Sequence, residues 1–113
     1  MALFLDARLP VRFGTPDQAG PETALLIEGD APAPAGAAVA RFVLAPGGHP
    51  AGCACCAPRG PTAEALARLF LGRARGGVLF RDVVALVRGP AGEAAVRAAV
   101  TEDRFAAARF RLG

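Results

Sequence analysis

The sequence contains no lysine, tryptophan, tyrosine or asparagine. All 13 basic residues are therefore arginines, and they are spread from Arg8 to Arg111. This bias is typical of a genome-wide preference rather than of a binding surface. A nucleic-acid-binding surface usually concentrates its basic residues and adds aromatic side chains on which bases stack. The 7 phenylalanines instead lie in apolar patterns typical of a core, so we expect no nucleic-acid partner.

Long apolar runs are also missing. No run approaches the roughly 20 apolar residues that a membrane-spanning helix needs, and the strongest are the segments 78–80 and 83–87. The first six residues, Met1 to Asp6, lack the basic flank of a signal peptide. The sequence therefore predicts a cytoplasmic protein that makes no use of a membrane.

The 113 residues, 53% of them apolar, predict one globular domain over residues 1–113. Strands alternate with helices along the chain, which favours an α/β fold with a small, mainly parallel sheet and flanking helices. Periodicity leaves the segment 22–28 open between helix and strand. The predicted strands are 11–13, 37–44 and 78–87; the predicted helices are 61–75, 91–100 and a third helix capped by Thr101.

The cysteines are few, odd in number and clustered. Cys53, Cys55 and Cys56 all lie within a predicted loop at residues 45–60, which also contains His49. A cytoplasmic protein keeps its thiols reduced, and such a set cannot form a disulfide framework. The cluster therefore indicates a metal site, a redox pair or inert buried thiols.

Thiolates are soft ligands that suit Zn²⁺, and three of them can occupy three corners of its tetrahedron at about 2.3 Å. The fourth position is open to His49, to water or to a ligand from a partner. The redox alternative uses Cys53 and Cys56, which form a Cys-x-x-Cys pair ahead of a helix. Glu28 and Asp30 flank Gly29, a pattern more typical of a polar turn than of a cation site. No Ser-His-Asp arrangement or carboxylate pair indicates an enzyme.

The segment Gly52-Cys53-Ala54-Cys55-Cys56, followed by Arg59-Gly60 and a helix, resembles the middle of a CobW-type P-loop GTPase. That family carries a Gly-Cys-(aliphatic)-Cys-Cys motif and is associated with zinc and cobalt handling. The resemblance implies a remnant of a P-loop NTPase domain. It also implies Zn²⁺ or Co²⁺ binding through Cys53, Cys55 and Cys56.

The nucleotide motifs of that family are degraded here. Residues 15–23 stand where Gly-x-x-x-x-Gly-Lys-Thr-Thr belongs, with Pro21 in place of the lysine and Glu22 in place of the hydroxyl residue that binds Mg²⁺. Residues 86–89 replace a Glu-Thr-Thr-Gly motif. We therefore expect a metal-carrying or metal-sensing accessory protein that neither binds nor hydrolyses nucleotide. The alternative is a partner-binding or regulatory subunit of an intact CobW-like protein.

A partner is expected on either interpretation. The predicted sheet ends after Leu112 with an unpaired strand edge, and exposed edges invite pairing. The sequence thus predicts a homodimer or docking to another protein.

Overall fold

A computed structural model of this protein describes residues 6–44 and 60–113. In these ranges the chain forms a sheet of five strands with three α-helices. The strands are β1 (Leu9–Phe13), β2 (Thr23–Glu28), β3 (Val39–Phe42), β4 (Asp82–Leu86) and β5 (Phe110–Leu112). The helices are α1 (Gly60–Ala74), α2 (Pro90–Glu102) and α3 (Arg104–Arg109).

All strand pairs of the sheet are parallel, in the order β3-β2-β4-β1-β5. In β2 the run from Ala24 to Ile27 is fully buried, which means that both faces of this strand are covered. A continuous apolar run is typical of a strand in such a sheet. The segment that periodicity left undecided is therefore a strand, and the predicted small parallel α/β fold is confirmed.

The connections between strands run in two directions across the sheet. Those from β1 to β2 and from β2 to β3 move toward the β3 edge, whereas those from β3 to β4 and from β4 to β5 move toward the β5 edge. Because parallel crossovers are right-handed, the two pairs lie on opposite faces. All three helices belong to the second pair, so they cover the same face.

Two apolar clusters agree with this arrangement. The larger joins Leu66 of α1 and Val96 of α2 to Val83 on β4. On the other face, Leu25, Ile27 and Val84 are buried against partly buried side chains that include Ala19 and Ala33. These two alanines lie in connections that contain only a 3-10 turn at Pro16–Gln18 and irregular chain. The second face is therefore covered by loops instead of helices.

The two edge strands differ in how they are protected. On β3, the Arg68 guanidinium donates a hydrogen bond of 2.8 Å to the Arg41 carbonyl. Carbonyls alternate in direction along a strand. Those of Ala38 and Phe42 face β2 and accept from the N–H groups of Leu25 and Gly29, so the Arg41 carbonyl lies on the outer edge of the sheet. The edge strand β5 has only three residues. A capped edge and a short edge strand both limit edge-to-edge pairing. The expected protein partner stays a prediction.

Helix α1 ends at Ala74, just before the glycine pair Gly76-Gly77 that predicts its end. Gly76 has a φ of +89°, and its N–H donates to the Arg73 carbonyl. The Gly77 N–H donates to the Gly72 carbonyl at 2.8 Å. A Cβ on Gly77 would lie 2.6 Å from that same oxygen, so the chain can turn this tightly only with glycine.

Two of the predicted elements differ from those observed. The strand predicted over 78–87 begins only at Asp82, and Val78 and Leu79 are 47% and 65% exposed. These residues carry the chain from α1 back to the sheet, where the Arg81 N–H donates to the Glu22 carbonyl. Likewise, the strand predicted over 37–44 is limited to β3.

The predicted cap of the third helix is wrong. Thr101 lies within α2, where its hydroxyl donates to the Arg97 carbonyl. Asp103 caps α3 instead, and its carboxylate accepts a hydrogen bond of 2.9 Å from the Ala106 N–H. Asp103 has the extended backbone that an N-cap requires, whereas Thr101 is helical.

Candidate functional site

The predicted metal ligands Cys53, Cys55, Cys56 and His49 lie outside the described residues. The structure describes the chain up to Leu44 and again from Gly60. Of the predicted loop at 45–60, the structure therefore describes only Gly60, the last residue. Leu44 is the described residue that precedes the loop. Elsewhere in 6–44 and 60–113, no group of three or more His, Cys, Asp or Glu side chains is placed to hold a metal ion.

The two ends of this connection meet at one depression between α1 and α2. Leu44, just after β3, and Gly60, the first residue of α1, both line this depression of about 360 Å³. The carboxylate residues Glu102 and Asp103 line it as well. The two described residues that flank the connection therefore lie at the same depression.

A glycine sets the return of the chain into α1. Gly60 has a φ of +77°, in the left-handed region that favours glycine. Pro61 follows in the first turn of the helix, where its missing N–H costs no hydrogen bond. Thr62 and Ala63 are then buried against the body. The downstream end of the cysteine-containing connection is thus anchored by packing.

The loop that follows β1 stands where the resemblance places a phosphate-binding loop. Such a loop binds phosphate because several backbone N–H groups and a lysine converge on it. Here the Gly14 N–H donates to the Ala85 carbonyl at 3.3 Å. The Thr15 N–H donates to the Gln18 side-chain oxygen at 2.9 Å, and the Gly20 N–H donates to the Thr23 hydroxyl at 3.0 Å.

Further donors of this loop are used inside it or are missing. The N–H groups of Gln18 and Ala19 donate to the carbonyls of Thr15 and Pro16, which close the 3-10 turn. Pro16 and Pro21 have no N–H to donate. The turn has three residues, so it cannot supply the multi-turn helix that normally directs its positive end at a phosphate.

Side chains also occupy the space above this loop. A Cβ on Gly14 would lie 1.9 Å from the Gln18 side-chain oxygen, which means that Gln18 folds directly over the glycine. The Thr23 hydroxyl donates to Asp82, and Asp82 also accepts a hydrogen bond of 2.6 Å from Arg12. These bonds connect the ends of the loop to β1, β2 and β4.

The beginning of α2 is occupied by a carboxylate from a neighbouring strand. Glu28, the last residue of β2, accepts a hydrogen bond of 2.7 Å from the Arg88 N–H. A Cβ on Gly92 would lie 2.0 Å from the same carboxylate oxygen. Glu28 therefore fits over the first turn of α2, where the absence of a side chain on Gly92 makes room and the positive end of the helix favours a negative charge.

Sequence reasoning did not identify these contacts. It interpreted Glu28 as part of a polar turn and assigned no role to Gln18 or Gly92. The Glu28 contact joins residues 60 positions apart, and no local pattern indicates such a pair. Gln18 lies three residues after Thr15 in a capping-box arrangement, so a capping signal was present there.

The chain matches no protein-family profile, no curated protein and no solved structure. The resemblance to the CobW-type family therefore stays an expectation that rests on the cysteine motif and on the order of the elements. None of the helices in the described ranges has the length and apolarity needed to cross a bilayer.

Proposed function

We propose that this protein is a metal-binding accessory protein that carries Zn²⁺ or Co²⁺ on the thiolates of Cys53, Cys55 and Cys56. The fourth position is open to His49, to water or to a ligand from a partner. The observation that supports the proposal is the concentration of every thiol of the chain within four consecutive positions of one connection. Both flanks of that connection line one depression of the α/β body.

This anchoring favours metal binding through conformational entropy. A connection whose ends are already brought together has lost its loop-closure entropy when the body folds. A metal ion then has no further entropy cost for bringing the two flanks together. Metal binding would also displace the thiol protons, so the affinity should fall as the pH falls.

Three protein ligands with one open position are more typical of an exchangeable site than of a closed structural site. A site of this kind is suited to passing its metal to another protein. The proposal therefore concerns a carrier or sensor and not a protein whose fold depends on the metal. In support, the sheet and the helices of the described residues share a buried apolar core of their own.

Nucleotide hydrolysis has no part in the proposed function. Five N–H groups of the loop after β1, those of Gly14, Thr15, Gln18, Ala19 and Gly20, donate to acceptors within the protein. On the CobW-type resemblance, Pro21 takes the place of the phosphate-binding lysine. Glu28 adds a negative charge at the beginning of α2, where a phosphate would otherwise be favoured. These features support a metal-binding role that is independent of GTP.

Titration with Co²⁺ tests the proposal. Tetrahedral thiolate coordination of Co²⁺ produces strong visible d–d bands and a near-ultraviolet charge-transfer band, which we expect to saturate at one Co²⁺ per chain. Changing Cys53, Cys55 or Cys56 to Ser should weaken these bands, and the triple variant should lose them. If His49 is the fourth ligand, His49→Ala should shift the visible bands while retaining the charge-transfer band.

A matched control is Ala54→Ser, which adds a hydroxyl to the same segment and leaves all three thiols in place. It should bind Co²⁺ like the wild type. Circular dichroism of each variant checks that the α/β body is folded. If the folded wild type and the triple Cys→Ser variant bind Co²⁺ equally, the proposal is wrong. A reversible Cys53–Cys56 disulfide without thiolate-bound Co²⁺ would instead favour a redox function.

A further inference from the structure

We draw no further inference here: the strongest candidate, the crevice at the carboxyl end of β4 that is lined by Arg88 and Arg97, has Glu28 and Glu93 beside those arginines and rests otherwise on the N-terminus of α2, with no second observation that points to a ligand.

Discussion

Replacing Gly92 with alanine tests the contact between β2 and the beginning of α2. Gly92 is buried and helical, and its φ is not in the left-handed region, so the backbone itself accepts alanine. The new Cβ, however, would lie 2.0 Å from the Glu28 carboxylate oxygen and 3.1 Å from the Val87 Cβ. Glu28 must therefore move away, although the alanine has a higher helix propensity.

The expected magnitude follows from four contributions. Displacing Glu28 removes its exposed hydrogen bond from the Arg88 N–H, which contributes about 1 kcal/mol, and its interaction with the helix terminus, about 0.5 kcal/mol. Crowding against Val87 costs roughly 1 kcal/mol. The higher helix propensity of alanine offsets at most about 1 kcal/mol. Gly92→Ala should thus lower the free energy of unfolding by about 1 to 2 kcal/mol.

The assay is thermal and urea unfolding followed by circular dichroism. For a domain of this size, the expected loss corresponds to a decrease in Tm of roughly 4 to 8 °C. The matched control is Gly72→Ala in α1, where an added Cβ has no neighbour within 4 Å. That substitution should stabilise the protein by about 0.5 to 1 kcal/mol because only the helix propensity changes.

A double-mutant cycle identifies the cause of the loss. In a Glu28→Ala background the carboxylate is already gone, so Gly92→Ala should cost less than about 0.5 kcal/mol. The coupling between the two substitutions should then be about 1 to 1.5 kcal/mol. Additive effects, or a Gly92→Ala variant as stable as the Gly72→Ala control, would refute the reasoning.

Three further predictions concern the nucleotide loop, an exposed ion pair and the oligomeric state. Titration with a fluorescent GTP analogue and Mg²⁺ should give no saturable binding in the micromolar range, because five N–H groups of loop 14–22 already have acceptors within the protein and two of its positions are prolines; saturable binding would contradict this. The side-chain hydrogen bond from Arg8, more than its backbone bond and the nearby Arg111, lowers the pKa of Asp6 from 3.8 to about 2. Any stabilisation from this depressed pKa is present above about pH 3.8 and is lost as the pH falls through about 2. In an NMR titration, Arg8→Ala should raise the pKa of Asp6 toward 3.8, and an unchanged value would exclude Arg8 as the cause. Light scattering should detect a dimer, or pull-down from native lysate a protein partner, whereas a monomer that captures no protein would contradict the expected association.

Local sequence patterns identified much of the secondary structure. The helical period of Leu66, Leu69 and Phe70 predicts α1, and Gly76-Gly77 predicts its end to within one residue. These predictions succeed because helix faces and glycine termini depend on neighbours within a few positions. The cysteine motif is likewise a property of consecutive residues, so its proposed chemistry is expressed in the sequence alone.

Only the tertiary structure decided features that depend on distant residues. Within the segment 22–28, Thr23–Glu28 forms a strand because β3 and β4 pair with both of its edges, which no local period reveals. Residues 78–81 have the composition of a strand but lie outside the sheet, because β4 begins beside Thr23 at Asp82. In each case, pairing with remote strands overrides local preference.

The candidate site divides in the same way. The sequence by itself determined which thiols are available and that Pro21 and Glu22 stand where the CobW-type resemblance places the phosphate-binding pair. The tertiary structure decided that the flanks of the cysteine connection meet at one depression, and that Glu28 covers the beginning of α2. The physical reason is that residue chemistry is carried by each position separately, whereas proximity arises only when right-handed crossovers bring distant segments to the same edge of the sheet.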